Sequence, residues 1–482
     1  MTSALKIDID KSGNSGVISG DYLAEIREHF SVANDAAKFA KYRNRFTPSR
    51  RYAITPAGKF DIGMFQEIKK YVITNQLPVK LILSEAFKTK LFPSIRVKSK
   101  QKLKLQLRDY QSDIVDICLR VGRGVTVLAT AGGKTLTMAS LLQNIWSENK
   151  TFKCLLIVPN LSLVSQTYGD FTDYGVSFLY SKWTGSDNLN MSSNVIIANT
   201  SILQSSKSDI SWIPHVDVLI IDEVHGLRKN NKINKILKNI HTCNRFGFTG
   251  TLPEELIDQW NIIGKIGPIL YEKNSYQLRV EDYISNVLVQ VLKLKYISEP
   301  ERGKPGDPLD RFQKEMDFLI NSPFRNNTIS KLCNNVDNNC LILLDYIRHG
   351  ETLYRDIKSY CKNKRVFFIQ GDVDVSQRDT IRKLMEENND IICIAISKIF
   401  STGINIKNIH YIMFAGSGKA KIKTLQSIGR GLRKHITKEK LIIFDIADQL
   451  YYGIQHMQKR VSFYNNEKIK YGVQSVQEFH HE

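Results

Sequence analysis

The stretch Ala129-Thr130-Ala131-Gly132-Gly133-Lys134-Thr135 follows directly on the apolar run Val125, Val127 and Leu128. A buried strand that ends in small residues and Lys-Thr reads as a phosphate-binding loop. Gly132 and Gly133 carry no side chain to block an anion, so successive backbone N–H groups can turn inward at a helix N-terminus. In that reading Lys134 reaches the β and γ phosphates of a nucleotide, and the Thr135 hydroxyl ligates Mg²⁺. The full G-x-x-x-x-G-K-[ST] pattern has glycine where this chain has Leu128. A lone Gly-Gly-Lys-Thr also suits an ordinary strand-to-helix turn, so the rest of the chain decides.

Outward from this loop, strand, loop and helix repeat, with apolar runs at 154–158, 195–198, 216–221 and 245–248. Near-continuous apolar runs are what a parallel sheet covered on both faces requires, and such a sheet carries its chemistry at the carboxyl ends of its strands. The run Val218-Leu219-Ile220-Ile221 ends in Asp222-Glu223-Val224-His225. Asp222 is placed to hold Mg²⁺, and Glu223 to orient and deprotonate an attacking water. Phe248-Thr249-Gly250-Thr251 offers two hydroxyls beside the same edge, suited to relaying the nucleotide state. Upstream, Arg108-Asp109-Tyr110-Gln111 precedes a helix bearing Ile114, Ile117 and Val121, and the Gln111 amide can both donate to and accept from an adenine edge.

Pro300, Gly303, Pro305, Gly306 and Pro308 mark 298–308 as a loop or linker. The alternation then restarts, with strands expected at 340–344, 366–369, 391–395, 411–414 and 441–444, and helices near 351–360, 377–386 and 421–432. This half has no phosphate loop of its own. Its Gln426-Ser427-Ile428-Gly429-Arg430-Gly431-Leu432-Arg433 segment puts Arg430 and Arg433 on one helix face, where two guanidiniums can meet phosphate across a cleft. Arginines supplied in this way contribute on the order of 10³ to 10⁵ in rate.

Residues 1–95 read as a small α+β domain: Leu5, Ile7 and Ile9 alternate as in a strand, Leu23, Ile26 and Phe30 share a helix face, 51–62 reads as a hairpin turning at Pro56-Ala57-Gly58, and Phe65, Ile68 and Val72 mark a second helix. Residues 1–100 hold 18 Lys+Arg against 9 Asp+Glu. Lys41, Arg43, Arg45, Arg50 and Arg51 interleave with Tyr42, Phe46 and Tyr52, a mixture that suits phosphate contact with base stacking and equally a solvated basic face over a small core.

Over all 482 residues, 68 Lys+Arg against 48 Asp+Glu give a net charge of +20, which points to a polyanionic partner such as nucleic acid. No run of 18 apolar residues and no apolar segment near Met1 support spanning or secretion, so an intracellular, cytoplasmic protein with no membrane partner is expected. The seven cysteines, at 118, 154, 243, 333, 340, 361 and 393, form no C-x-x-C pair and read as reduced core residues.

Taken together, these motifs resemble the superfamily 2 helicases of the DExH-box kind, and within them the phage branched-DNA helicases of the UvsW type. Ala129 to Thr135 is similar to motif I, Asp222 to His225 to the DEVH form of motif II, Thr249-Gly250-Thr251 to motif III, and Gln426 to Arg433 to motif VI. Pro159 to Gln166 resembles motif Ia, Asn199-Thr200-Ser201 a strand-tracking motif, and Ser401-Thr402-Gly403-Ile404-Asn405 motif V. Phe400 to Ile404, Leu432 to His435 and Arg45-Phe46-Thr47-Pro48 carry the UvsW likeness. The resemblance implies two RecA-like parallel-sheet domains in tandem, at 96–290 and 291–482, preceded by the α+β domain at 1–95. ATP would lie between the two motor domains, contacted by Arg108, Gln111, the 130–135 loop and Gly403. Lys134, Asp222, Glu223, Gln426, Arg430 and Arg433 would carry hydrolysis, with Mg²⁺ on Thr135 and Asp222. Nucleic acid would be held by Arg43, Arg45, Arg50, Arg51, Pro159, Gln166, Thr200, Ser201, Ser401 and Thr402. The implied activity is an ATP-dependent DNA helicase, expected as a monomer, acting on forked, branched or single-stranded DNA in replication, recombination and repair. An RNA helicase would use the same motor, and a clamp that binds ATP only as a switch is the non-catalytic alternative.

Overall fold

The computed structural model describes residues 3–10, 15–34, 37, 47–91, 95, 97, 102–370, 375–397, 406, 408–416 and 438–479. They fall into two compact units: the chain to Leu128 with Gly133–Lys273, and Ala129–Gly132 with the chain from Asn274 onward.

The first unit opens with β1 (Ser3–Ile9), β2 (Ser15–Gly20), α1 (Leu23–His29), β3 (Ser31–Ala33), β4 (Arg50–Tyr52), β5 (Lys59–Asp61), α2 (Phe65–Thr74), β6 (Val79–Leu83) and α3 (Glu85–Leu91). The sheet order is β5-β2-β1-β6, with β6 parallel to β1 and the other pairs antiparallel, and β3 and β4 form a ribbon of their own. Leu5, Ile7 and Ile18 meet Ile26, Phe65, Ile68 and Phe87 in its core, as the period-2 and helical spacings require. One expectation is corrected here. The turn at Pro56-Ala57-Gly58 forms, with the Thr55 N–H donating to the Lys59 carbonyl at 2.9 Å, but its arms do not pair as a hairpin. The Ile18 N–H donates to the Gly58 carbonyl at 3.0 Å, so β2 captures β5 and leaves β4 to β3.

Next come α4 (Asp109–Val121), β7 (Arg123–Leu128), α5 (Lys134–Glu148), β8 (Cys154–Val158), α6 (Leu161–Tyr174), β9 (Tyr180–Trp183), β10 (Val195–Asn199), α7 (Thr200–Leu203), β11 (Val218–Asp222), α8 (Ile233–Lys238), β12 (Asn244–Thr249), α9 (Leu256–Lys265) and β13 (Ile269–Lys273). They build a seven-stranded sheet, order β13-β7-β12-β11-β8-β10-β9, in which every pair is parallel. All residues of β7, β8, β10 and β11 are buried, which is why β8, β10 and β11 read as apolar runs without alternation up to their last residues, while β7 also buries Arg123 and Thr126. Each fully buried Val, Leu or Ile contributes about 1.5–3 kcal/mol, so the register is firmly held. That register sets Asp222 level with Phe248, and Thr249 level with Val127, bringing three loops to one sheet edge.

The α+β region is seated on α9. A Cβ on Gly63 would lie 2.0 Å from the Ile263 carbonyl oxygen, and one on Gly264 would lie 2.7 Å from the Asp61 Cβ. Two glycines therefore permit a backbone-to-backbone approach that no other residue allows. Around it, Ile263 joins the core of the α+β region, Phe30 packs edge-on to Trp260 at 5.3 Å, and Asp61 pairs with the buried Lys265.

The second unit contains α10 (Ser275–Val280), β14 (Asn286–Lys295), α11 (Pro308–Asn321), α12 (Pro323–Asn335), β15 (Cys340–Leu344), α13 (Ile347–Tyr360), β16 (Arg365–Ile369), α14 (Val375–Glu387), β17 (Ile391–Ile396), β18 (Tyr411–Phe414), β19 (Lys440–Asp448), α15 (Tyr451–Asn466) and β20 (Lys470–Gln477). Its seven strands are again all parallel, in the order β16-β17-β15-β18-β19-β14-β20. The predicted linker ends where Asp307 caps α11, its carboxylate accepting from the Leu309 and Asp310 N–H groups. The fold is thus two RecA-like parallel sheets in tandem behind a small mixed sheet. The helix expected at 421–432 lies outside the described residues. Among the described residues no helix is long and apolar enough to cross a membrane.

Candidate functional site

The loop after β7 enters α5 through two residues of positive φ, Ala131 at 66° and Gly133 at 83°. The Gly132 N–H donates back to the Ala129 carbonyl at 2.9 Å, closing a tight turn before Lys134 opens the helix. A Cβ on Gly133 would lie 2.2 Å from Gln111 Nε2, so the loop and the buried Gln111 side chain are fitted to one another. Gln111 Oε1 accepts from the Arg108 N–H at 2.9 Å at the start of α4, and the Arg108 guanidinium donates to the Tyr110 hydroxyl at 2.8 Å. Thr130 and Thr135 are half-buried at the two ends of the loop.

Opposite the loop, β11 delivers a buried Asp222, whose Oδ1 accepts from the Glu223 N–H at 2.9 Å. Glu223 then takes a left-handed conformation, φ 48° and ψ 48°, a placement that costs a non-glycine residue about 1–2 kcal/mol. The turn aims its carboxylate back over the sheet edge. Glu223 Oε1 is 3.3 Å from Lys134 Nζ and Glu223 Oε2 is 3.2 Å from His225 Nδ1. His225 Nδ1 is also 2.9 Å from Thr249 Oγ1, which itself donates to the Thr251 carbonyl at 2.8 Å. Because the single Thr249 proton is committed there, His225 carries its proton on Nδ1 and donates it toward Thr249 and Glu223. One continuous chain of contacts, Lys134–Glu223–His225–Thr249–Thr251, therefore crosses the ends of β7, β11 and β12. The sequence flagged His225 and Thr249 as motif members, but local pattern carries no sign of the bond between them.

Beside this chain, Pro159, Thr200, Asp222, Glu223 and Asn231 line a groove of about 460 Å³ at the ends of β8 and β11. The Thr200 hydroxyl donates to the Pro159 carbonyl at 3.2 Å, joining two residues that lie 41 positions apart. Ser201 is exposed on α7 and Gln166 half-buried on α6. Arg50 and Arg51 stand apart from that groove, in β4. Arg50 pairs with Glu28 at 2.8 Å, and Arg51 with Glu255 at 2.7 Å just before α9. Arg43, Arg45, Ser401, Thr402, Gly403, Gln426, Arg430 and Arg433 lie outside the described residues.

Two family models match the chain: the type III restriction enzyme res subunit over residues 104–254, and the helicase conserved C-terminal domain over residues 325–435. The ATP-dependent DNA helicase uvsW of Enterobacteria phage T4 is 26% identical over 94% of this chain and 95% of its own length. The chain is a superfamily 2 helicase resembling UvsW. The DNA 3'-5' translocase XPB2 of Sulfurisphaera tokodaii is 22% identical over 79% of this helicase and 88% of the relative. Among solved structures, the ATP-dependent type ISP restriction-modification enzyme LlaBIII bound to DNA matches with a TM-score of 0.58 at 13% identity, over 85% of this chain and 34% of its own. The DUF1998 helicase MrfA bound to DNA matches at 0.57 and 15% identity, over 76% and 52%, and both likenesses concern the fold. As a member of this family the protein is an ATP-dependent helicase, an ATP hydrolase.

Proposed function

We propose that this helicase couples ATP hydrolysis to translocation on DNA, and that it unwinds or branch-migrates forked and junction DNA in replication, recombination and repair. The observation that carries the reading is the Glu223 carboxylate held between Lys134 and His225. Lys134 would hold the β and γ phosphates of ATP, and backbone N–H groups of the 130–133 loop would cradle them. A water would then add to the γ phosphorus while ADP leaves, its proton passing to Glu223. Lys134 Nζ and Glu223 Oε1 are 3.3 Å apart and form an ion pair. A γ phosphate that drew Lys134 away would leave the carboxylate to act as base only when substrate is bound. One carboxylate at a strand end, Asp222, and one hydroxyl in the first helical turn, Thr135, form the sparse donor set that suits Mg²⁺, which takes its other ligands from water and phosphate. The ion would neutralise charge on the transferring phosphoryl group.

Arg430 and Arg433 are proposed to supply guanidiniums to that same phosphoryl group, with Gln426 beside them. Arg108, Gln111 and Gly403 are assigned to the nucleotide. Pro159, Gln166, Thr200, Ser201, Ser401 and Thr402 would track the strand through phosphate contacts that carry no sequence information. Residues 1–95, with Arg43, Arg45, Arg50 and Arg51, are proposed as a nucleic-acid-binding domain ahead of the two motor domains. The uvsW name and the net charge of +20 support DNA as the partner.

The test is ATP turnover and strand separation by the full chain on forked DNA, linear duplex, single-stranded DNA and RNA. The expected result is fork-stimulated turnover with unwinding, abolished by Lys134→Ala. Stronger stimulation by RNA would overturn the DNA assignment, and multiple-turnover hydrolysis equal with and without Lys134 would remove the loop from the mechanism.

A further inference from the structure

A second cationic recess lies at the other end of the first parallel sheet. It is small, about 30 Å³, and is lined by Lys90 and Asp61 from the α+β region and by Arg123, Lys238, Arg245 and Lys265 from the motor side. Arg123 is the first residue of β7, whereas the Lys134 loop follows its last; six strand residues separate the two by about 17 Å. Nothing in ATP hydrolysis as described above uses this end of the sheet.

Among the described residues that line it, five are cationic and one, Asp61, is a carboxylate, and three of the five are buried: Arg123 is 4% exposed, Lys265 6% and Arg245 8%. Part of that charge has a structural explanation. Arg245 Nε donates to the Thr242 carbonyl at 2.9 Å, its Nη1 to the Lys265 carbonyl at 3.0 Å, and its Nη2 to the Ile240 carbonyl. These are carbonyls at and beyond the C-termini of α8 and α9, where a cation is favoured. Lys265 is matched by Asp61. Arg123 is different. Its Nε donates to the Ile266 carbonyl at 2.9 Å, but its two terminal nitrogens make no hydrogen bond among the described residues, although the side chain is buried. Burial, then the neighbouring charge of Arg245, pushes the Arg123 guanidinium down to about 9. Its stem is buried while its two terminal nitrogens open on the recess without a protein acceptor, beside further cations, so they offer two donors to an anion that enters.

We propose that this recess binds a phosphate-type oxyanion, with the Arg123 terminal nitrogens as its main donors and Lys90 closing it from the α+β side. Planar guanidinium donors match such oxygens, and the flanking ammonium adds charge without demanding a direction. The oxyanion comes either from free inorganic phosphate or from the backbone of a bound duplex. The site stands whether or not the helicase is specific for forks, because it rests on the Arg123 environment alone.

The experiment uses the full chain with Lys134→Ala, so that the phosphate loop at the opposite edge does not report. Thermal unfolding is followed against inorganic phosphate and against chloride at equal ionic strength. The expected result is a rise in melting temperature with phosphate but not chloride, and a phosphate affinity lowered about ten- to a hundred-fold by adding Arg123→Met, as loss of charge-assisted hydrogen bonds implies. Duplex binding separates the sources: for a backbone phosphate, Arg123→Met weakens DNA and inorganic phosphate competes with it; for free phosphate, DNA affinity is unchanged. A phosphate response indifferent to Arg123→Met overturns the site. Should that variant not fold, Lys90→Gln decides on a half-exposed position, and an unaltered phosphate affinity there overturns the proposal equally.

Discussion

Lys134 Nζ lies 3.3 Å from Glu223 Oε1, so the first residue of α5 and the residue just beyond β11 hold each other across the sheet edge. On the proposed reading this ion pair joins the ammonium that would hold phosphate to the carboxylate that would act as base, and a phosphate anion would compete for Lys134. Glu223→Gln removes the proton acceptor and weakens the hold on Lys134 together. Turnover is expected to fall about 10²- to 10⁴-fold while ATP binding is kept or tightened. Equilibrium binding beside single-turnover hydrolysis reads the two apart, and a variant that hydrolyses at the parental rate rules out Glu223 as base.

The hydroxyl of Thr249 links His225 to the loop that leaves β12. Thr249→Val keeps the shape and deletes the acceptor. Nucleic-acid-stimulated ATPase is then expected to drop by about tenfold more than basal ATPase, the size of one hydrogen bond to a partly buried group. Equal losses in both rates would speak against a relay through this bond.

Gly63→Ala forces a Cβ to within 2.0 Å of the Ile263 carbonyl oxygen, where only backbone movement can relieve the clash. A loss of about 1–3 kcal/mol in the first unit is expected in urea unfolding. The helical Gly169 of α6 has no atom within 4 Å of its would-be Cβ, so Gly169→Ala is expected to stabilise by about 0.5–1 kcal/mol. If both substitutions behave alike, the seating of the α+β region on α9 is not tight.

In the second unit, burial, followed by the charges of Arg325 and Arg348, holds His349 well below its usual 6.5. Its Nε2 lies 3.3 Å from both Arg325 Nη1 and Asn326 Oδ1, and the adjoining guanidinium opposes a second positive charge on the ring. Below pH 6.5 the unfolded chain gains a proton that the folded one refuses, so stability is lost as pH falls, by up to about 1.4 kcal/mol per pH unit. Urea unfolding at several pH values between 7.5 and 5 should show this slope, flattened in His349→Gln. A slope unchanged by that substitution assigns the acid sensitivity to other groups.

Strands buried on both faces were readable to the residue: 154–158, 340–344 and 411–414 coincide with β8, β15 and β18. Among the edge strands β16 was readable, expected at 366–369 and found at Arg365–Ile369, but the four-residue β9 (Tyr180–Trp183) and β20 (Lys470–Gln477) were not; β20 is largely exposed, and a strand that buries little has no apolar run to betray it. β4 and β5 were readable as extended segments, but their partners depended on where β2 lay.

The chain's own order of residues determined the alternation of strand and helix, the small-residue loop ending in Lys134 and the paired carboxylates after β11, because each is a pattern within a few residues. Only the tertiary structure decided that Glu223 turns toward Lys134, that His225 donates to Thr249, and that Arg51 is engaged by Glu255. It alone joined Asp61 to Lys265, 204 positions away, and left the Arg123 guanidinium half answered in a recess. Local periodicity encodes which face of an element is buried. The neighbours it meets there are fixed by how the elements stack, through contacts too distant along the chain to leave a mark in any short stretch of it.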